Sequence, residues 1–404
     1  MGPLAGIKIV DMTSVLMGPF ATQILGDYGA DVIKVEALEG DITRQIGPTR
    51  NAGMGPVFLN ANRSKRSIAL DLKQDTGRDV LLRLAKTADV LVYNVRPQAM
   101  ARLRLSYDDV SAINPRIVYA GLFGFGQNGP YAAKPAYDDL LQGSSGLSHL
   151  LARAGDGKPR YVPTAMADRV VGLSAVGAIL ASLLHRDRTG RGQRVDVPMF
   201  ETMAGFVMGD HLGGLTYEPP LDKGGYPRHM SPDRRPYQTS DGFISVIVYN
   251  DKQWKSFFDA TGREDLRAHP HFATFAARLK HVDEVYAELG RIFLTRSTSE
   301  WLKLLVDADI PVMPIHDLES ILQDEHLAET NFFALTDHPS EGLIRSMKVG
   351  AQWSDTPAQP ERLAPRLGEH GEEILREVGY SATEIAAMFD NQIVGRAAGG
   401  SSER

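Results

Sequence analysis

Cysteine is absent from this chain of 404 residues. That excludes disulfides, thiolate metal sites and a cysteine nucleophile at once, and it fits a reducing compartment. A basic excess is absent too: 44 Lys and Arg stand against 50 Asp and Glu, for a net charge of −6. Nothing in that balance points to nucleic acid or an anionic membrane. The opening MGPLAGIKIVDMT lacks the charged and long apolar regions of a secretory signal. The longest apolar run, Val170 to Leu184, is interrupted by glycines and serines and reads as too short and broken to cross a bilayer. The expectation is a cytoplasmic protein without nucleic-acid or membrane partners. His269 and His271, in HPH, lack metal-ligand spacing and an obvious carboxylate partner, so they read as a surface turn, and no metal site is expected.

What is present is an ordinary globular composition, 43% hydrophobic and 23% charged, over a length that suggests two domains. The first half alternates strands and helices. GIKIVDMT, ADVIKVE, SIALD (67–71), ADVLVYN and RIVYAGLF read as strands; 20–28, 76–87 and 97–103 read as helices. Strands spaced by helical patterns imply βαβ units and a mostly parallel sheet. The helix after Asp168 is apolar nearly all round and is expected to be deeply buried. The stretch 205–224 is rich in Gly and Pro and reads as a linker, 225–320 as a smaller α+β domain, and 321–394 as a segment that includes two closing helices. Residues 395–404 are expected to be disordered.

Asp168 is the most informative residue. It stands at the start of that apolar helix, and no other acid follows for eighteen residues. Aspartate there is a favoured N-cap, worth about 1 kcal/mol. It is also a candidate nucleophile, because a helix N-terminus favours the ionised form that attack requires. GFGQNG at 124–129 matches G-x-G-x-x-G, but Pro130 and a loop follow where a dinucleotide site needs a helix. Gly124 and Gly126 then read as part of a flexible loop whose backbone N–H groups approach a ligand, or as a plain turn. After the first strand only Gly18 is present, so Glu36 reads as a solvated strand end rather than a ribose-binding acid. GSSG at 143–146 is not a serine-hydrolase elbow, and His149 reads as a loop or surface residue. Arg63, Lys65, Arg66, Lys73, Arg96, Arg102 and Arg104 cluster near element ends. They read as surface charge or as cations for a phosphorylated ligand.

Several longer pieces carry a family resemblance: LAGIKIVDMTSVLMGPFATQILGDYGADVIKVE, NRSKRSIALDLK, NVRPQAMARL, INPRIVYAGLFGFGQNGPYAAKPAYDDLLQ, the Asp168 segment through HRDRTGRGQRVDV, and PRLGEHGEEILREVGYS. In this order, over residues 4 to about 394, the chain resembles the class III coenzyme A transferases, the family of formyl-CoA transferase and the carnitine CoA transferases. The resemblance implies an interlocked homodimer of chains, each with a Rossmann-like large domain built from the N-terminal half and the C-terminal segment, plus a small middle domain. It implies transfer of CoA from an acyl-CoA to a free carboxylic acid, with coenzyme A as substrate rather than as a permanent cofactor. The family's catalytic aspartate falls on Asp168, which would carry first an acyl anhydride and then a CoA thioester.

The resemblance places Leu70, Lys73, Asn94 and Arg102 near the nucleotide or pantetheine, and Tyr137 and Asp138 beside the acyl group. Gly124 and Gly126 fall in the loop expected to shield the intermediates. Val95 replaces a common aromatic. Two cationic contacts of formyl-CoA transferase fall on Ala37 and Pro135, with Lys134 as the substitute. A substrate-side glutamine falls on Leu16, and the four-glycine loop expected near 240–260 is missing. Oxalate and formyl-CoA are therefore not the expected pair; Arg234 and Arg235 are available to a dicarboxylate or to solvent. An α-methylacyl-CoA racemase is the nearest rival reading, but its histidine falls on Tyr137, a poor base with an ordinary pKa of about 10. A dinucleotide-dependent oxidoreductase is disfavoured by the missing helix after GFGQNG. A non-catalytic CoA-binding protein is disfavoured by Asp168 at the nucleophile position.

Overall fold

A computed structural model describes residues 2–396, and the chain divides into two compact units. The larger is drawn from residues up to Ser144, from Pro163–Ala204 and from Ala328 onward; the smaller from Ser145–Val162 and Gly205–Leu327. Residues 145–162, grouped by sequence with the large domain, thus belong to the smaller unit, where the helix Leu147–Ala154 packs against Pro227–Met230. The stretch that reads as a linker holds the end of the helix Met199–His211 and a turn at Gly213–Thr216.

The larger unit is built on six strands: β1 (Lys8–Met12), β2 (Asp31–Glu36), β3 (Lys65–Ala69), β4 (Val90–Tyr93), β5 (Val118–Phe123) and β6 (Gln193–Pro198). All five neighbouring pairs are parallel, in the order β3-β2-β1-β4-β5-β6. On one face Val10, Ile33, Ile68, Leu91 and Tyr119 alternate inward against Val80, Leu81 and Leu84 of the helix Asp75–Thr87. Ile374, Leu375, Ile385 and Met388, from the helices Gly371–Glu377 and Ala382–Asp390, complete this core. Each such side chain contributes roughly 1.5–3 kcal/mol on burial. The last of these helices starts cleanly because Ser381 and Glu384 form a reciprocal capping box.

The other face holds charge. Lys34, Lys65 and Arg44 are buried against Asp41, Asp11 and Glu36, respectively. Two sequence expectations change here. Glu36 is buried and ion-paired rather than solvated. Arg63 pairs with Asp27, and Arg66 with Asp31, Glu373 and Glu377, so Arg63, Lys65 and Arg66 serve neither as free surface charge nor as ligand cations. This explains why β3 begins at Lys65, two residues before its apolar pattern: the charged side chains are interior residues with partners.

The Asp168 helix spans Met166–Thr189 and packs on the helix Met17–Asp27 and on β5 and β6. It is less buried than its composition suggests. Val171, Ala175, Ile179 and Leu183 face inward, whereas Leu173 is 58% and Leu184 51% exposed. At 24 residues it is longer than the apolar run alone indicates and has the length and composition of a membrane span. Its inward face packs against protein.

In the smaller unit, β7 (Tyr237–Gln238), β8 (Phe243–Val246) and β9 (Val312–Pro314) form an antiparallel sheet. Trp254, Phe257, Phe293 and Trp301, from three of its helices, make the core, and the Trp301 indole donates to the Phe293 carbonyl at 2.8 Å. A hairpin of β10 (Phe333–His338) and β11 (Gly342–Met347) belongs to the larger unit. Of the expected disordered tail, Gly395 is tied to the Ala69 carbonyl and Arg396 pairs with Asp390; residues 397–404 lie outside those described.

Candidate active site

Parallel strands point their carboxyl ends to one edge of the sheet, and the connections leave in opposite directions at β1 and β4. A crevice forms at such a reversal. Here two cavities open there. One, of about 260 Å³, is lined by Ser14, Asn94, Gly124, Lys134, Tyr137, Asp138 and Asp168, with Arg96, Gln127 and Met199. The other, of about 530 Å³, is lined by Glu36, Asp41, Leu70, Lys73, Val95 and Leu103. Ser14 lines both. Its N–H donates to Asn94 Oδ1 at 3.0 Å, and Asn94 Nδ2 donates to the Ser14 carbonyl at 2.8 Å. That pair of hydrogen bonds between backbone and amide clamps the ends of β1 and β4 together.

Asp168 is the third residue of its helix; Ala165 occupies the N-cap position. The cap is supplied from elsewhere. Asp138, first residue of the helix Asp138–Ser144, accepts from the Asp168 N–H at 2.9 Å and from Gln142 Nε2 at 2.7 Å. The two aspartates are thus held side by side. Burial first, and then the Asp138 charge, push the Asp168 carboxyl up to about 7, with Arg169 opposing. This corrects the expectation that the helix terminus holds Asp168 ionised: like charge and desolvation outweigh it. At neutral pH the group is poised between its two forms, as in many reactive carboxyls.

The glycine loop is pinned rather than flexible. Gly126 donates its N–H to Glu201 at 2.9 Å, so that group is engaged. Phe200 N–H donates to the Gly124 carbonyl at 3.0 Å, and Phe125, Tyr131 and Phe200 pack ring to ring. Glycine is needed at 124 for close approach, since a Cβ would lie 2.1 Å from the Ala136 methyl. No helix starts in 124–137, so the dinucleotide geometry is not formed at this loop.

The residues expected at the site fall into three groups. Asp168, Asp138, Tyr137, Asn94, Lys134 and Gly124 come together around one cavity, with Gly126 in the same loop. Tyr137 is 67% exposed, and Lys134 lies over the Tyr131 ring at 3.7 Å. Leu70 and Lys73 line the neighbouring cavity; the Leu70 side chain is buried in the core and Lys73 is exposed. Arg102 lines neither; it is exposed, its Nε on the Gln98 carbonyl at 3.3 Å. In the smaller unit Arg235 pairs with Asp233, Arg234 is exposed, and His149 is exposed on a helix.

Sequence reasoning misses the supports. Val15 holds φ of +70°, costly for a β-branched residue. The Asp41 carboxylate accepts its N–H at 3.2 Å, and Lys34 holds Asp41 and the Thr13 carbonyl. Nothing in the pattern around Val15 marks this; Glu201 carries no signal beyond being an acid in a first helical turn.

With this geometry in place, residues 4–371 match the family described as CoA-transferase family III. The chain belongs to that family. It is 36% identical to an acyl-CoA transferase of Fusarium pseudograminearum, over 97% of this chain and 88% of that one. It is 33% identical to the succinate–glutarate CoA-transferase of Agrobacterium fabrum, over 93% and 96%. A CAIB/BAIF family protein from Brucella suis superposes with a TM-score of 0.79 at 31% identity, over 93% of this chain and 99% of that structure. Family III members act on CoA thioesters, so this chain is an acyl-CoA:carboxylate CoA-transferase.

Proposed function

We propose that Asp168 is the nucleophile of this transferase and that its substrates include a dicarboxylic acid of the succinate or glutarate size. The observation that carries the mechanism is the carboxyl of Asp168, raised to about 7 and lining the crevice at the sheet's carboxyl edge. The ionised carboxylate attacks the thioester carbonyl and expels CoA thiolate, leaving an aspartyl anhydride. The thiolate attacks the aspartyl carbonyl, forms an aspartyl-CoA thioester and releases the donor acid. The acceptor carboxylate attacks that thioester and expels CoA thiolate, giving a second anhydride; the thiolate then attacks its acceptor-derived carbonyl, forming the new acyl-CoA and releasing the Asp168 carboxylate. Every step exchanges one acyl bond for another, so no net proton, electron or metal is required, and covalent catalysis divides a hard exchange into easier ones.

The two cavities that meet at Ser14 support a CoA laid across β1 and β4, with Leu70 and Lys73 toward the nucleotide and Asn94, Arg96 and Lys134 toward the pantetheine and acyl end. Water exclusion is needed at each intermediate. The pinned 124–129 loop, with Gly124 and Gly126, and a second copy of the chain are assigned to it. The outward face of the Asp168 helix, with Leu173, Gly177, Ala181 and Leu184, supports an interlocked homodimer. The chain is assigned to the cytoplasm. Tyr137 stands where a racemase would need its histidine, which favours carboxylate exchange.

The test is trapping. Incubation with succinyl-CoA, followed by hydroxylamine or borohydride, should modify one peptide, at Asp168, seen by mass. No label, or a label elsewhere, overturns the anhydride route.

The charge on Asp138 gives a second expectation. Acylation needs Asp168 ionised, so kcat/KM for the donor should rise with pH through about 7. Asp138→Asn removes the like charge while keeping an oxygen for the Asp168 N–H. The rising limb should move to lower pH, with a several-fold gain at the acid end. An unmoved limb would mean that the Asp138 charge does not act on the nucleophile.

A further inference from the structure

The HPH turn in the smaller unit has a carboxylate partner that its sequence does not reveal. His269 and His271 follow the short helix Glu264–Arg267. His281 stands between the helices Phe275–Lys280 and Val282–Phe293, and Glu284 lies in the first turn of the latter. Folding brings the three segments together. His271 Nδ1 lies 2.5 Å from Glu284 Oε2, and His281 Nδ1 lies 3.5 Å from Glu284 Oε1. The donor atoms of His271, His281 and Glu284 all fall within 4.8 Å of one another.

The ring geometry is the second observation. His271 and His281 stack face to face, centroids 3.5 Å apart and planes 6° from parallel. Aromatic rings in direct register are disfavoured relative to offset or edge-to-face pairs. One carboxylate, Glu284, faces both rings of this stack. A divalent ion bound by one nitrogen of each ring would replace this ring contact with attraction to a shared cation, the rings turning from their stack so that both lone pairs reach it. Glu284 supplies an oxygen and one negative charge, its Oε2 facing His271 and its Oε1 facing His281. Two imidazoles and one carboxylate suit zinc, nickel or copper; magnesium and calcium prefer oxygen shells.

We propose that His271, His281 and Glu284 bind one transition-metal dication of the zinc class, with water completing the shell. The ion would clip the 268–274 loop to the helix Val282–Phe293. His269, edge-on to His271 at 4.8 Å with its Nδ1 accepting the His271 N–H, holds the turn that presents the ligand.

The test uses the full untagged chain stripped with EDTA. Titration with ZnCl2 should show one equivalent bound and a higher unfolding temperature, whereas MgCl2 should show neither. His271→Ala and Glu284→Gln should each weaken zinc binding by more than about tenfold, since even outer-shell losses cost that much. His185→Ala, in the other unit, should bind as the parent does. Absence of stoichiometric zinc, or equal affinity in the parent and both ligand variants, overturns the proposal; Glu284→Gln keeps it decidable if the histidine variant fails to fold.

Discussion

Asp168→Ala is expected to lower CoA transfer by at least about 10⁴-fold, the scale of loss when a covalent nucleophile is removed. Binding of the acyl-CoA should change little, because the residues assigned to CoA are other side chains of the crevice. Stability gives an independent readout. Asp168 is protonated in both folded and unfolded chains only well below pH 4. As pH rises from there toward 7, the unfolded chain ionises while the folded carboxyl, raised to about 7, resists; above 7 the cost to folding is constant. At full burial that cost would be roughly 4 kcal/mol, and the half-buried position reduces it to about 2 kcal/mol. The variant should therefore unfold at an equal or higher temperature than the parent at pH 7–8, with the advantage shrinking toward pH 4. A dead enzyme that also binds CoA poorly and melts early at pH 8 would mean that the substitution damages the crevice. Turnover near the parent rate would remove Asp168 from the chemistry.

The same residue shows what the sequence makes legible. A lone acid before a long apolar helix marks Asp168, and period-2 and period-3.6 patterns mark the parallel sheet and its cover. The raised carboxyl depends on Asp138, thirty residues earlier, and no local pattern reports that the two lie together. Long-range pairing hides the basic cluster too: Arg63, Lys65 and Arg66 look like a phosphate site until Asp27, Asp11, Asp31, Glu373 and Glu377 fold against them. The glycine loop fails for a different reason. Glycine is read as freedom, whereas Gly124 is present because Ala136 leaves no room for a Cβ, and Gly126 is held through its N–H by Glu201. Conformational freedom and close packing use the same residue, and only neighbours in space tell them apart.

The largest stability effect is expected beneath the crevice, at Lys65. Its side chain is fully buried on β3 and reaches across β2 to Asp11 on β1, donating to Asp11 Oδ2 at 3.0 Å, to the Pro19 carbonyl at 2.9 Å and to Asn62 Oδ1 at 2.9 Å. Burial alone would raise the Asp11 carboxyl; Lys65, then Lys34 and the Thr13 and Thr22 hydroxyls, hold it instead at about 2. Lys65→Met fills similar volume but leaves Asp11 without its main cation. Removing one partner of a buried pair costs about 3–5 kcal/mol, because the stranded charge stays desolvated. In a unit of this size that lowers the unfolding temperature by about 10 °C. Adding Asp11→Asn should recover part of the loss, since the stranded charge is gone while an acceptor remains for Thr22. The consequence extends to function. Lys34, beside Asp11, holds the Thr13 carbonyl, and Asp41 holds the strained Val15, so the segment lining the cavity rests on this charge balance. Lys65→Met should weaken acyl-CoA binding even at temperatures where the chain stays folded, and the double variant should restore part of it. A single variant that melts within about 2 °C of the parent would show that Asp11 relaxes toward water, and the buried pair would then not be what holds this face of the sheet.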